Sequence, residues 1–256
     1  QYGENATFVR DFSSYGNNAT AQALLWNVTG RFAGGFEFDG VLGKRNVSIA
    51  HSNMLNVKNF TIAMWIMKKG DGESVWSGAI GGYPLIAKGR AENDAQGADV
   101  NFMVLVNSTN NKIDVDYEDN SGPNHPIFGA TTISNDVLYH DVYTFNGVTS
   151  VIYINGNLDA TRVDSTVPAN NTIRIGVGQT YNSSNAVDGA WNGSIDEVVV
   201  WNRSLSASEI ADIYNLTVGR FYYWRVNVTD GANMNSSGIY QFNLTEVDNP
   251  ASVTLK

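Results

Sequence analysis

The sequence predicts an all-β fold, an antiparallel β-sandwich followed by a C-terminal β-hairpin unit. Short apolar runs alternate with polar residues along most of the chain, and Gly, Asn or Asp separates one run from the next. Many short strands with almost no helix between them are typical of two packed sheets. A chain of 256 residues can bury a large core without cross-links, which agrees with the absence of cysteine.

The predicted strands follow one another closely. They include residues 47–49, 60–66, 102–106, 113–117, 151–154, 173–175 and 198–201. Asn155-Gly156 predicts a type I′ hairpin turn, because both central positions of that turn need positive φ. The segment Gly70 to Pro84 is rich in Gly and Ser and predicts a long loop. Trp76 within it is expected to pack the loop down or to stack on a ligand.

One helix is predicted over residues 206–215. Ser206-x-x-Glu209 is a capping box, in which the serine accepts from a backbone N–H and the glutamate reaches back to the cap residue. Ile210, Ile213 and Tyr214 then share one face of the helix.

Five motifs in order resemble the laminin-G-like (LamG), concanavalin A-like jelly-roll family. They are DFSSYGNN at 11–18, FEFDG at 36–40, FTIAMW at 60–65, VIYING at 151–156, and WNGSIDE at 191–197, which continues through WNRSLS to Glu209-Ile210. The resemblance implies a jelly roll over residues 1–217. Tyr139-His140 stands where the family usually has Trp-His, and Tyr is able to supply a similar apolar body. The family often binds calcium, which makes Asp39 and Asp196 candidate ligands; the alternative is that each carboxylate caps a turn of its own backbone.

Residues 218–256 predict a separate strand unit. Phe221–Thr229 and Ile239–Leu244 resemble the last two strands of a fibronectin type III or Ig-like domain whose remainder is missing, and residues 251–255 alternate again. Since an isolated hairpin is marginal in water, the unit is expected to pack on the jelly roll or on a neighbouring subunit. Completion by a neighbour would give a homo-polymer, or a contact with other surface glycoproteins.

Fourteen N-x-S/T sequons are roughly three times the number that the Asn, Ser and Thr content gives by chance. The acceptors are Asn5, Asn18, Asn27, Asn46, Asn59, Asn107, Asn170, Asn182, Asn192, Asn202, Asn215, Asn227, Asn235 and Asn243. Covalent N-glycans at most of them would place the chain outside a membrane. Asn46, Asn227 and Asn243 fall on the polar phase of their strands, where a glycan is expected to face solvent.

Dense sequons without cysteine favour an archaeal cell surface. The first residue, Gln1, suggests a mature chain whose signal peptide has been removed.

Catalytic constellations are scarce, and no catalytic residue is predicted. His51, His125 and His140 lack metal spacing and are expected on the surface or in turns. Asp114-x-Asp116-x-Glu118 would align three carboxylates on one strand face, as in some jelly-roll glycoside hydrolases, but a solvated polar face is the preferred interpretation, and a cation or sugar site is a further alternative.

Charge and hydropathy exclude two further partners. The net charge of −9 and the lack of a Lys/Arg cluster argue against nucleic acid. No apolar run is long enough to span a membrane. The sequence therefore predicts a heavily N-glycosylated extracellular structural protein, a surface or filament subunit. A carbohydrate-binding or adhesion module is the alternative, and a glycoside hydrolase comes third.

Overall fold

The computed structural model describes residues 7–27, 30–31, 34–91, 97 and 99–216. It also describes the backbone of four short strands between residues 221 and 243. Within these residues the fold is two stacked antiparallel sheets and one short α-helix, so the predicted β-sandwich is confirmed. The tail at 251–255 and the sequon at Asn5 lie outside the described residues.

The larger sheet has nine strands in the order β1-β2-β5-β15-β8-β9-β10-β11, with β7 paired to β8. The strands are β1 (Phe8–Val9), β2 (Ala19–Gln22), β5 (Asn46–Ile49), β7 (Val75–Ser77), β8 (Ile80–Lys88), β9 (Phe102–Asn107), β10 (Lys112–Asp116), β11 (Ile127–Thr132) and β15 (Ile175–Val177).

The smaller sheet has seven strands in the order β14-β13-β12-β6-β18-β4-β3. The strands are β3 (Leu25–Asn27), β4 (Gly35–Asp39), β6 (Phe60–Lys68), β12 (Leu138–Phe145), β13 (Thr149–Ile154), β14 (Asn157–Val163) and β18 (Asn192–Trp201). A 3-10 turn, Asn53–Leu55, precedes β6, and the short pair β16 (Thr180–Tyr181) and β17 (Val187–Asp188) folds beside the larger sheet.

The core lies between the two sheets, because alternate residues of each strand point to the same face. Phe60, Ile62, Met64 and Ile66 of β6 meet Phe102, Val104 and Val106 of β9, all buried. Tyr139 belongs to the same cluster, so it does supply the apolar body expected at that position. Each sheet therefore has an inner face against this core and an outer face turned away from it.

One side of the sandwich is closed where β11 meets β14. The carboxylate of Asp159 on β14 accepts the backbone N–H groups of Ala130 (2.8 Å) and Thr131 (2.9 Å) on β11. Arg162 Nη1 donates to the Pro126 carbonyl at 2.9 Å. The edge of β11 is therefore paired by a side chain rather than by another strand.

Helix α1, Ala207–Tyr214, packs on the outer face of the smaller sheet. Its capping box is formed as predicted, with Ser206 accepting from the Glu209 N–H and Glu209 bonding back to the Ser206 N–H at 2.8 Å. Ile210 joins Ala63 and Val142 in a small apolar cluster beneath the helix. The predicted hairpin turn is also confirmed, since Asn155 and Gly156 have φ of 53° and 77°.

The long loop predicted for residues 70–84 is wrong. Residues 75–77 form β7 and pair with 80–82 at the start of β8. Gly81 suits this hairpin because a Cβ there would lie 2.6 Å from the Trp76 ring, which rests across the pair. Trp76 is 60% exposed, so it does not pack the segment into the core.

The C-terminal hairpin is present as strand pairs. β19 (Phe221–Trp224) pairs with β22 (Tyr240–Asn243), and β20 (Asn227–Thr229) pairs with β21 (Met234–Ser236), both antiparallel. The division of the chain at residue 217 and the partner of the hairpin stay predictions.

Candidate functional site

A polar groove lies on the outer face of the larger sheet, over strands β2, β5 and β15. Its floor follows the sheet register, in which Thr20 pairs with Ser48 and Ser48 with Gly176. Its walls come from Arg174 and from the β16–β17 hairpin. We call this feature the Tyr181 groove; its lining residues are Thr20, Ala21, Gln22, Asn46, Ser48, Arg174, Gln179, Tyr181 and Val187.

Tyr181 is the fixed centre of the groove. Only 1% of its surface is exposed, and its hydroxyl lies 2.7 Å from Ser48 Oγ and 3.2 Å from Gln179 Nε2. The backbone holds it from the other side, because the Tyr181 carbonyl accepts the Ala91 N–H at 2.7 Å. Burial raises the pKa of the Tyr181 phenol, so the hydroxyl keeps its proton at neutral pH.

Gln179 presents an unsatisfied acceptor. Its Nε2 donates to the Val47 carbonyl (3.4 Å) and to Tyr181, whereas its Oε1 is buried and has no hydrogen-bond partner among the described residues. The side chain fits because residue 176 is glycine: a Cβ there would come within 3.1 Å of Gln179 Cγ. A buried acceptor without a donor costs free energy in the folded chain.

Arg174 closes the exposed side of the groove. Its guanidinium carbon lies 4.5 Å from the centre of the Tyr181 ring, and its Nη2 donates to the Asn185 carbonyl at 3.0 Å. Asn185 adopts positive φ (59°) in the turn of the β16–β17 hairpin, so the turn sets the position of the guanidinium. The groove thus combines amides, hydroxyls and one cation around a rigid aromatic ring.

The carboxylates at 114, 116 and 118 are buried, which contradicts the expectation of a solvated face. Asp114 and Asp116 lie on the outer phase of β10, and Glu118 follows the end of the strand; the chain then folds back, so that the His125 N–H reaches Asp116 and the Asn124 side chain packs against Gly78. Burial raises the pKa of Asp114, and raises that of Asp116 well above its usual range.

All three of these carboxylates have structural hydrogen bonds: Asp114 Oδ2 accepts the Asn107 side-chain amide at 2.7 Å. Glu118 Oε2 accepts the N–H groups of Asp99 (2.6 Å) and Val100 (2.9 Å), and Asp116 Oδ1 accepts that of His125 (2.8 Å). Glycoside hydrolysis needs one carboxyl group as acid and another as base or nucleophile beside an open sugar site. The row offers no such opening.

His125 and His140 are also buried, so placing them on the surface was wrong. His125 sits between Asp164 (Nδ1, 2.9 Å) and Asp119 (Nε2, 3.1 Å). His140 lies 4.9 Å from the Trp65 ring, and burial together with Arg31 lowers its pKa to about 4. The histidines are isolated in the sequence, so no motif predicted the contacts of His125 or of His140.

The two candidate calcium ligands are engaged by protein donors. Asp39 Oδ2 lies 2.8 Å from Lys44 Nζ and 3.4 Å from Arg45 Nε. Asp196 accepts the backbone N–H groups of Arg31 and Glu197. Only two contacts correspond to the turn-capping alternative, the Val41 N–H to Asp39 Oδ1 (3.3 Å) and the Glu197 N–H to Asp196 Oδ1 (2.9 Å), and calcium would have to compete with all of these donors. Within the described residues, no group of three or more His, Asp or Glu side chains is arranged to hold a metal ion. Calcium stays a prediction.

The sequon acceptors differ in accessibility. Among those with described side chains, Asn18, Asn59, Asn170, Asn202 and Asn215 are exposed, whereas Asn107, Asn182 and Asn192 are half-buried. Asn46 is only 7% exposed, and its Nδ2 donates to Gln22 Oε1 at 3.4 Å. Its strand phase was predicted correctly, but the outer face is covered at that point, so it does not face solvent. The side chains of Asn27, Asn227, Asn235 and Asn243 are not described.

Apart from Asn46, the groove residues were not predicted as site residues from the sequence. Arg174 lies within the predicted strand 173–175, whereas Gln179 and Tyr181 come from an irregular segment without alternation, and the three meet because the β16–β17 hairpin folds onto the sheet. The closely spaced Gly176 and Gly178 were the local signal, since glycine permits close backbone approach and, at Gly178, a φ of 71°.

Solved structures with the same fold include several binding domains. The binding domain of Paraclostridial Mosquitocidal Protein 1 gives a TM-score of 0.60 at 14% identity, over 95% of this chain and 62% of that one, so the chain spans less than two thirds of its length. Domain 4 of AbnA, an extracellular arabinanase from Geobacillus stearothermophilus, in complex with arabinotriose, gives 0.59 at 12% identity, over 83% of this chain and 100% of that one. The Ruminococcus gnavus sialidase CBM40 bound to α2,3 sialyllactose gives 0.51 at 14% identity, over 63% and 86%.

These likenesses show the fold alone. No curated protein sequence matches the chain significantly, and no described helix is long and apolar enough to cross a membrane. The model of the concanavalin A-like lectin/glucanase superfamily matches residues 42–211. The sandwich, the closing motif with its capped helix and this match agree, and the chain belongs to the concanavalin A-like lectin/glucanase superfamily.

Proposed function

We propose that the protein is an extracellular carbohydrate-binding module that holds a glycan in the Tyr181 groove. The observation that carries the proposal is the polar lining of the groove, in which the amide of Gln179 and the hydroxyls of Ser48 and Tyr181 are joined by hydrogen bonds. Sugars present several hydroxyl groups, each able to donate and accept. A groove lined by fixed amides and hydroxyls matches that chemistry.

The comparisons support this function over a purely structural one. The family description includes lectins, and two domains of the same fold were solved with oligosaccharides. The description also includes glucanases, so the expectation from the scarcity of catalytic motifs that the chain is not an enzyme stays a prediction; the burial of Asp114, Asp116 and Glu118 supports it.

Glycan titration of the full chain tests the proposal. We expect a panel of oligosaccharides to contain a ligand, and Gln179→Met to weaken its binding at least tenfold while keeping side-chain size. Asn157→Ala, an exposed amide on the smaller sheet, is the matched control and should bind like the parent. Failure of every glycan to bind, or equal binding by Gln179→Met, would contradict the proposal.

A second candidate keeps the structural role. Five exposed sequon acceptors favour a glycosylated surface or filament subunit that assembles through residues 218–256. This role is compatible with sugar binding, and electron micrographs of concentrated native protein test it. Uniform single particles would argue against assembly.

A further inference from the structure

We infer that the ligand of the Tyr181 groove is an acidic sugar whose carboxylate binds Arg174. The inference rests on the proposed function and names its ligand class. Among the described residues, Arg174 is the single charged residue that lines the groove, and no carboxylate lines it.

The charge of Arg174 has no close counter-charge among the described residues, although the net charge of the protein is −9. Four other arginines each have a carboxylate within 4 Å: Arg45, Arg90, Arg162 and Arg203. Arg174 has none among the described residues, although it is exposed and an acidic surface offers many partners. A cation left without a counter-charge at a groove is available to an anionic ligand.

The guanidinium is also held in a defined orientation. It stacks on Tyr181, and Tyr181 is itself fixed by Ser48 and Gln179. The Asn185 carbonyl takes one of its five N–H groups, which leaves donors for a second partner. A planar fork of this kind matches a carboxylate through two parallel hydrogen bonds, and its preorganisation lowers the entropy lost on binding.

The remaining lining suits the rest of such a sugar. Hydroxyls next to the carboxylate would meet the amide of Gln22 and the hydroxyl of Ser48. A neutral sugar would satisfy the same two groups but would leave Arg174 without an anion. The carboxylate is therefore the feature that should set affinity.

Paired ligands test the inference. The full chain is titrated with oligogalacturonates and sialylated oligosaccharides, and with their methyl esters, which have the same skeleton without the charge. We expect the acids to bind at least tenfold more tightly than the esters. Arg174→Gln should abolish this preference, and Arg174→Lys, which keeps the charge but loses the planar fork, should restore it only in part. Arg203→Gln, the same charge change beside the other sheet, should bind like the parent, and melting curves confirm that all variants are folded.

The outcomes separate the two claims. Equal binding of acids and esters, preference for sulfated sugars alone, or an unchanged preference in Arg174→Gln would overturn the acidic-sugar inference while sugar binding stands. Absence of binding to any acid, ester or neutral sugar would overturn both.

Discussion

Asp141 should make the folded protein less stable as the pH rises. It lies on β12 between Tyr139 and Tyr143, on the phase that faces the core, and neither of its carboxylate oxygens has a hydrogen-bond partner among the described residues. Burial, with a smaller contribution from Asp159, raises its pKa to about 8. The folded chain therefore keeps a proton that the unfolded chain loses above pH 4.

The size of the effect follows from this shift. Between pH 4 and pH 8 the free energy of unfolding should fall by roughly 1.4 kcal/mol per pH unit from this residue, or about 4 kcal/mol at pH 7. Asp141→Asn cannot ionise, so it should be more stable than the parent at pH 7 by up to that amount and equal to it near pH 4. Urea unfolding at several pH values measures this, with Asp212→Asn, an exposed helix residue, as control. A parent and a variant that differ by the same amount at every pH would refute the reasoning.

Three further predictions concern modification, metal and assembly. Glycopeptide mapping of native protein should find a glycan at exposed Asn170 but none at Asn46, whose amide is buried and bonded; an occupied Asn46 would contradict this. Calcium at Asp39 or Asp196 would stabilise the fold by about 2.7 kcal/mol at a hundredfold excess over the Kd. A bound calcium ion therefore predicts a melting temperature several degrees lower in EDTA, and equal melting temperatures with and without EDTA would contradict calcium binding. Deleting residues 218–256 should leave a folded jelly roll that no longer polymerises, which sedimentation measures; an unfolded product would assign the hairpin to the core of its own chain.

The fold was predictable because short sequence patterns specify its strands, its turn and its helix. Alternation fixes which residues of β6 and β9 face the core, Asn155-Gly156 specifies a turn that needs positive φ, and Ser206 with Glu209 caps a helix. Covered outer faces were not predictable. Alternation places Asn46 and Asp114 on the polar face of their strands, which predicts exposure to solvent. In the folded chain, segments that are distant in sequence cover both residues.

The site escaped prediction for a related reason. Tyr181 and Gln179 have no periodic neighbours, and Arg174 is exposed like many surface arginines. Their significance lies in mutual distances across strands that are far apart in sequence. Asp39 and Asp196 were chosen by resemblance, which identifies positions but not the basic side chains and amides that surround them here.

The Asp159 contact with β11 makes one end of the sandwich different from the other. Because that carboxylate accepts the N–H groups of Ala130 and Thr131, a foreign strand finds two donors of β11 already bonded on that side. At the opposite ends, β1 and β3 terminate the sheet order of the described residues, and Phe8, Leu25 and Trp26 there are substantially exposed. Molecules crowded on a surface would therefore pair with one another only through their β1 and β3 edges. Growth by strand addition would stop at such pairs unless a second contact, such as one made by the C-terminal hairpin, forms elsewhere on the molecule.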